Sequence, residues 1–282
     1  MEHILKGKAV AKEIKENIKT RASKLKEEGK SPKLAIVRMG ERQDDIAYER
    51  GILKNCSSVG IEGEVFKTDR DASMDEFVDL IKRINNDSNI HGILIFRPLP
   101  DQIDEEVIKN IINPEKDIDC MNPVNLEKVF EGDMKGFVPC TPRAVIEILK
   151  HYGATLEGAN VSIINKSLVV GKPLAMMFLE ERSTVTICHS RTKELQEKTK
   201  ASDIVVTATG RAKMFTENYF GNNNIVLDVG INVDENGKMC GDVDYDNVEN
   251  KVKAITPVPG GVGSVTTSIL LRHVVMACEN MK

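Results

Sequence analysis

No run of 18 apolar residues occurs in the 282-residue chain, so no transmembrane helix is expected. The opening stretch MEHILKGKAVAKEIKENIKT carries charges throughout and has no apolar h-region, so no secretory signal is read there. A basic excess is missing as well. Lys and Arg number 39 against 43 Asp and Glu, a net charge of -4, which argues against nucleic acid as a main partner. The six cysteines (Cys56, Cys120, Cys140, Cys188, Cys240 and Cys278) include no C-x-x-C pair. That spacing argues against a sequence-evident zinc site or disulfide framework and reads as reduced thiols in a cytoplasmic protein. The five histidines form no H-x-x-x-H pair, so no metal is expected. No internal repeat is visible. The composition, 41% hydrophobic and 29% charged, is near the globular average and excludes collagen-like, low-complexity and disordered classes. At roughly 150 residues per domain, the length suggests two domains.

What is present is an alternation of strand and helix. Val10, Ile14, Ile18, Ala22 and Leu25 recur at helical spacing over 9–27. Strands are expected at 34–39, 62–67 and 91–96, and helices at 44–58, 74–85 and 104–112. Residues 113–125, with two prolines and no period, read as a long loop. Thr141 and Pro142 read as an N-cap and first position of a helix ending near His151 and stopped by Gly153. Further strands are expected at 160–165, 184–189, 203–209, 224–230 and 253–258, with helices at about 173–182 and 193–200. Glu235-Asn236-Gly237 marks a hairpin, and Ser264 reads as the cap of a last helix. Such alternation predicts an α/β protein with parallel sheets covered by helices on both faces. Ligands on such sheets bind beyond the carboxyl ends of the strands.

A G-x-G-x-x-G turn is absent after 160–165, where the chain reads NKSLVVGKP. Ser167, Gly171 and Pro173 could shape a turn that offers N–H groups to phosphate, with Lys166 adding charge; an ordinary turn is the alternative. After the second strand of this half stand Ser190, Arg191 and Thr192, with no acid. In a dinucleotide fold that position faces the adenine ribose, and a base or hydroxyl there tolerates a 2′-phosphate. Arg191 reads equally well as a solvated surface charge. PGGVGS (259–264) is dense in glycine, which suits either close approach of a ligand or a tight turn.

The segments HGILIFRPLP, KDID, PCTP, VVGKP, TVTICHSRT, DVGIN and TPVPGGVG occur in one order across almost the whole chain. In that order they resemble the methylenetetrahydrofolate dehydrogenase/methenyltetrahydrofolate cyclohydrolase (FolD) family. The resemblance implies two domains: an N-terminal α/β substrate domain (1–140, joined by a C-terminal helix, 265–282) and a Rossmann-type nucleotide-binding domain (141–264), with an interdomain cleft. It implies oxidation of 5,10-methylenetetrahydrofolate to the methenyl form by hydride transfer to NADP, with NAD the alternative. It also implies hydrolysis of the methenyl bridge to 10-formyltetrahydrofolate, and a homodimer with no nucleic-acid or membrane partner.

On the substrate side the resemblance places the family's ring-packing tyrosine at Tyr48 and its pterin-binding aspartate at Asp119. It places Pro98, Leu99, Pro259, Gly260 and Gly261 along the folate. On the cofactor side it places Asn165, Lys166, Ser167, Gly171, Pro173, Ser190, Arg191 and Ile231. Asn165 and Lys166 depart from the family's Gly-Arg, and lysine loses the bidentate fork of arginine. The larger departures are catalytic. The family lysine, four residues after the tyrosine, is Ile52 here. The family glutamine before L-P-L-P is Phe96, in FRPLP. The family holds those two side chains in contact, so the pair reads as one conversion of a polar corner into an apolar one. Lys54 points roughly 200° around the helix from Ile52. Arg97, if still in its strand, faces away from Phe96. Three readings follow: a dehydrogenase with weak or lost cyclohydrolase, a fully bifunctional enzyme in which another group replaces the lysine, and a non-catalytic homologue that binds folate or nucleotide.

Overall fold

The computed structural model describes residues 3–281. In chain order the first half contains α1 (Gly7–Glu27), β1 (Lys33–Met39), α2 (Gln43–Val59), β2 (Glu62–Thr68), α3 (Met74–Asn86), β3 (Gly92–Ile95), α4 (Glu105–Ile111) and α5 (Pro123–Phe130). The second half contains α6 (Cys140–His151), β4 (Asn160–Ile164), α7 (Gly171–Glu180), β5 (Thr184–Cys188), α8 (Leu195–Lys200), β6 (Ile204–Thr207) and β7 (Ile225–Asp228). It continues through β8 (Asn232–Val233), β9 (Met239–Cys240), α9 (Tyr245–Val248), β10 (Ala254–Ile255) and α10 (Val262–Asn280).

The chain divides into two compact units. The first comprises Glu13–Lys128, Lys135–Val138 and the chain from Thr267 on; the second comprises the chain up to Lys12, Val129–Met134 and Pro139–Thr266. The division falls inside α1 and α10. Residues 3–12 join the second unit because Leu5 N–H donates to Ile255 O (2.8 Å) and Gly7 N–H to Gly260 O (2.8 Å).

In the first unit three parallel strands lie in the order β2-β1-β3. The central strand β1 is buried along nearly its whole length, as its run of apolar residues predicts. Ala35, Val37 and Met39 pack against Phe77, Leu80, Ile81 and Ile84 of α3, which recur at the helical period. Ser73 and Glu76 close a capping box at the start of α3. In the second unit five parallel strands lie in the order β10-β7-β6-β4-β5, and β8 and β9 form an antiparallel hairpin around the Glu235–Gly237 turn. The succession reverses direction between β4 and β6, the switch point where such sheets open a crevice for ligands.

Three details differ from the sequence reading. The loop expected over 113–125 ends early, because Asn122 Oδ1 accepts from Val124 N–H (2.8 Å) and Pro123 opens α5. Helix α6 starts two residues earlier than expected, with Pro139 as N-cap; Thr141 lies inside it, its Oγ1 3.5 Å from Thr266 Oγ1. Helix α10 starts at Val262, so Ser264 is a first-turn residue whose N–H donates to Gly261 O (3.1 Å) and not a cap.

Candidate active site

In the first unit the expected substrate residues gather at the carboxyl ends of β1 and β3. Tyr48 sits on α2, 45% exposed, with its ring 5.3 Å from that of Phe96. The buried face of α2 is Glu49, Ile52, Cys56 and Val59, and Ile52 is 1% exposed. Lys54 is exposed, on the other side of the helix. Phe96 is 7% exposed and continues the ladder of β3 by donating its N–H to Val37 O (2.9 Å). The positions that resemblance gives to a lysine and a glutamine are thus two buried apolar side chains. Among the described residues, the charge nearest to Ile52 along that buried face is Glu49, held by Arg38 Nε at 2.8 Å. The Arg38 guanidinium also donates to Gly40 O. A cavity of about 870 Å³ opens here, lined among others by Gly40, Arg42, Arg70, Pro98, Leu99 and Gln102.

For Arg97 the condition of the sequence reading is not met. Strand β3 ends at Ile95, so Arg97 is not bound to the alternation of the strand. Its guanidinium reaches Glu105 at 3.1 Å and Asp119 at 3.5 Å. Asp119 is presented by a loop that Asp117 fastens. Asp117 accepts from the N–H groups of Met121 (2.9 Å) and Asn122 (2.8 Å) and from Asn125 Nδ2 (3.0 Å). Burial pushes the Asp117 carboxyl up, while those donors and the charge of Arg97 pull it down. His91 accepts from Lys33 N–H at 3.2 Å, which is a structural role.

In the second unit, Pro259, Gly260 and Gly261 form the turn before α10. Gly260 has φ +105°, and a Cβ on Gly261 would press on Pro257 O and Thr256 Cβ, so both positions require glycine. At the end of β4 the side chain of Asn165 organises the turn. Its Oδ1 accepts from Ser167 N–H (2.7 Å), Ser167 Oγ (2.7 Å) and Gly171 N–H (3.0 Å), and its Nδ2 donates to Ala208 O (2.6 Å) across the switch point. A Cβ on Gly171 would collide with Asn165 O. Pro173 is buried in the first turn of α7, Lys166 is exposed, and Leu168 and Val169 stand out from the turn. At the end of β5, Ser190 and Arg191 are exposed; Arg191 N–H donates to His189 Nδ1 (3.2 Å). No carboxylate stands between His189 and Lys193.

Sequence reasoning missed two carboxylates, Asp228 at the end of β7 and Asp242 just after β9. Asp228 Oδ1 accepts from Thr207 Oγ1 (3.1 Å), Gly230 N–H (3.0 Å) and Asp242 N–H (3.1 Å), and Oδ2 from Val243 N–H (2.8 Å). Asp242 accepts from the backbone and hydroxyl of Thr209, from Arg211 N–H and from Asn232 Nδ2. Burial pushes the Asp228 carboxyl up to about 6. Ile231, in the same DVGIN segment, is 64% exposed. Among the described residues, no group of three or more His, Cys, Asp or Glu is placed to hold a metal ion. Among them, too, no helix is long and apolar enough to cross a membrane.

This architecture and order of motifs match two family models. Residues 5–119 match the tetrahydrofolate dehydrogenase/cyclohydrolase catalytic domain, and residues 139–282 the NAD(P)-binding domain of the same family. The chain belongs to that family. Bifunctional protein FolD 1 of Desulfitobacterium hafniense (strain Y51) is 56% identical over 280 residues, covering 99% of this chain and 100% of that one. The crystal structure of the bifunctional FolD methylenetetrahydrofolate dehydrogenase/cyclohydrolase of Campylobacter jejuni superposes with a TM-score of 0.96 at 38% identity, covering 98% of each chain. The FolD of Trypanosoma brucei, complexed with NADP cofactor and an inhibitor, superposes with a TM-score of 0.93 at 31% identity, covering 99% of this chain and 98% of that one. The FolD family thus accounts for the parallel sheets and for the nucleotide-binding character of the second unit.

Proposed function

We propose that this FolD family member oxidises 5,10-methylenetetrahydrofolate to 5,10-methenyltetrahydrofolate with NADP as acceptor, and that its cyclohydrolase activity is weak or lost. One observation carries the second half of the reading: Ile52 and Phe96 are both buried, and Phe96 packs on Tyr48. Hydride transfer needs the donor carbon held and oriented, which Tyr48, Asp119, Pro98 and Leu99 would do on the folate side. A nicotinamide bound by the second unit would supply the hydride-accepting carbon, and the folate nitrogen lone pair would help expel the hydride. Hydrolysis needs more. A water must be activated and a proton moved as the bridge opens, and no group at Ile52 or Phe96 can carry a proton.

The cofactor reading rests on residues that fit a 2′-phosphate. Ser190 and Arg191 are exposed at the end of β5 without a competing acid, and Lys166 adds a cation near the Asn165–Gly171 turn. The NADP held by the Trypanosoma brucei relative agrees with that assignment. Folate belongs on this reading to residues 1–140 and 265–282, the nucleotide to 141–264, and the working form is a cytoplasmic homodimer.

Arg97 favours a second reading, full bifunctionality. Its guanidinium lies 3.5 Å from Asp119 and could stabilise developing charge. A guanidinium presents only N–H donors and no acceptor, so it offers no base to activate water. One experiment separates the readings. Methylenetetrahydrofolate is mixed with enzyme and NADP, then NAD, and reduced nicotinamide and methenyltetrahydrofolate are followed separately by absorbance. Methenyl accumulating in step with reduced cofactor, and decaying no faster than in an enzyme-free control, supports the proposal. Accelerated methenyl decay refutes the loss of cyclohydrolase. Binding of both ligands without turnover identifies a non-catalytic homologue.

A further inference from the structure

Asp242 has no part in the proposed chemistry, although its carboxylate accepts four hydrogen bonds. It is 0% exposed. Oδ2 takes the backbone N–H and the hydroxyl of Thr209, and Oδ1 takes Arg211 N–H (3.0 Å) and Asn232 Nδ2 (2.9 Å). Those donors come from two separate segments, the loop after β6 and the turn from β7 into the start of β8. Both lie at carboxyl ends of parallel strands, where the cofactor is expected.

The surrounding glycines show how tightly the carboxylate is built in. A Cβ on Gly230 would collide with Asp242 Oδ1, and a Cβ on Gly241 with Asp228 Oδ2. Gly230 and Asn232 are thus both seated against one carboxylate, and Ile231 between them is displayed outward, 64% exposed. An isoleucine held in the open at a strand end offers a flat apolar contact to a ring. Asp228 stands behind, accepting the N–H of Asp242 itself at 3.1 Å.

We propose that Asp242 is the positioning residue of the cofactor site: one buried carboxylate ties the Thr209–Arg211 backbone to the Gly230–Asn232 turn and so sets Ile231 against the nicotinamide half. The proposal rests on the reading that these loops bind the nucleotide. A carboxylate is required because both its oxygens accept. A carboxamide in its place turns an NH2 group toward N–H donors.

The test uses the full-length protein and titrates NADP directly, by calorimetry, beside steady-state kinetics. Asp242→Asn is expected to weaken NADP binding roughly tenfold or more, two charge-assisted bonds being replaced by an opposed pair of donors. The NADP KM rises with the dissociation constant while the folate KM stays within about threefold, a split that general unfolding does not produce. Amide exchange at Thr209 and Arg211 accelerates. Asn232→Ala removes one arm only and is expected to weaken NADP binding by about threefold to fivefold; it serves if Asp242→Asn does not fold. Unchanged NADP affinity in a folded Asp242→Asn protein, or in Asn232→Ala where that serves, overturns the proposal while leaving the cofactor reading intact. Natural protein that binds neither NADP nor NAD overturns both.

Discussion

Asp228→Asn is expected to remove a fall in stability that the natural protein shows as the pH rises. Burial lifts the Asp228 carboxyl from its usual 3.8 to about 6, against the pull of the N–H groups of Val243, Asp242 and Gly230, and the charge of Asp242 adds to the rise. Between those values the native state keeps the proton and the unfolded chain has lost it. Unfolding then releases a proton, so stability is full below 3.8, declines as pH rises through about 6, and is flat above. At about 1.36 kcal/mol for each tenfold change in proton affinity, the decline amounts to roughly 3 kcal/mol. In a chain of this size that corresponds to a melting shift of roughly 6–10 °C. An asparagine carries no proton to lose, so its curve lacks this decline. Its absolute stability is a poorer guide, since an NH2 group facing Val243 N–H costs roughly 1–3 kcal/mol by itself. The assay is a set of circular-dichroism melts from about pH 4 to pH 7 on both proteins, the difference in slope isolating this one group. Parallel curves would refute the assignment of a raised proton affinity to Asp228.

The double change Ile52→Lys with Phe96→Gln is expected to speed methenyl hydrolysis above the uncatalysed rate. Ile52→Lys alone destabilises by several kcal/mol, since it buries an unpaired ammonium at a position 1% exposed, and paired melts show the difference. Arg38→Met strands the buried Glu49 carboxylate and costs roughly 3–5 kcal/mol, much of it recovered in Arg38→Met with Glu49→Leu, as urea titration of the double-mutant cycle will read. Gly51 lies inside α2 with nothing within 4 Å of a Cβ, so Gly51→Ala raises stability by roughly 0.5–1 kcal/mol. Gly230→Ala lowers it by roughly 1–3 kcal/mol and weakens NADP binding, because its Cβ collides with Asp242.

Elements built on short-range pattern were legible in the chain itself. The spacing of Phe77, Leu80, Ile81 and Ile84 marks α3, and the apolar run of β1 marks a buried central strand. The apolar corner at Ile52 and Phe96 was legible only beside the family, since isoleucine and phenylalanine alone are ordinary core residues. Helix α5 was hidden because two prolines and no periodicity suggest loop, although Asn122 and Pro123 together form a start signal. Arg97 could not be placed by alternation, because its direction depends on where β3 stops. Asp242 carries no local signature: its donors come from Thr209, Arg211 and Asn232, which only the folded sheet assembles.

All six cysteines are buried and unbridged. Burial raises the thiol of Cys56 to about 12 and that of Cys278 to about 11, and raises those of Cys120, Cys188 and Cys240 as well. Thiolate is the species that attacks a labelling reagent, so the closed molecule is nearly inert and modification proceeds through transient opening. The thiols sit in different places: α2, the loop bearing Asp119, α6, the end of β5, the β8–β9 hairpin and α10. Each therefore acts as a clock for its own segment. Cys240, on a two-residue strand, reports the hairpin beside Ile231, so its alkylation should slow on cofactor binding, and mass spectrometry can read occupancy of the site in an enzyme that needs no added probe.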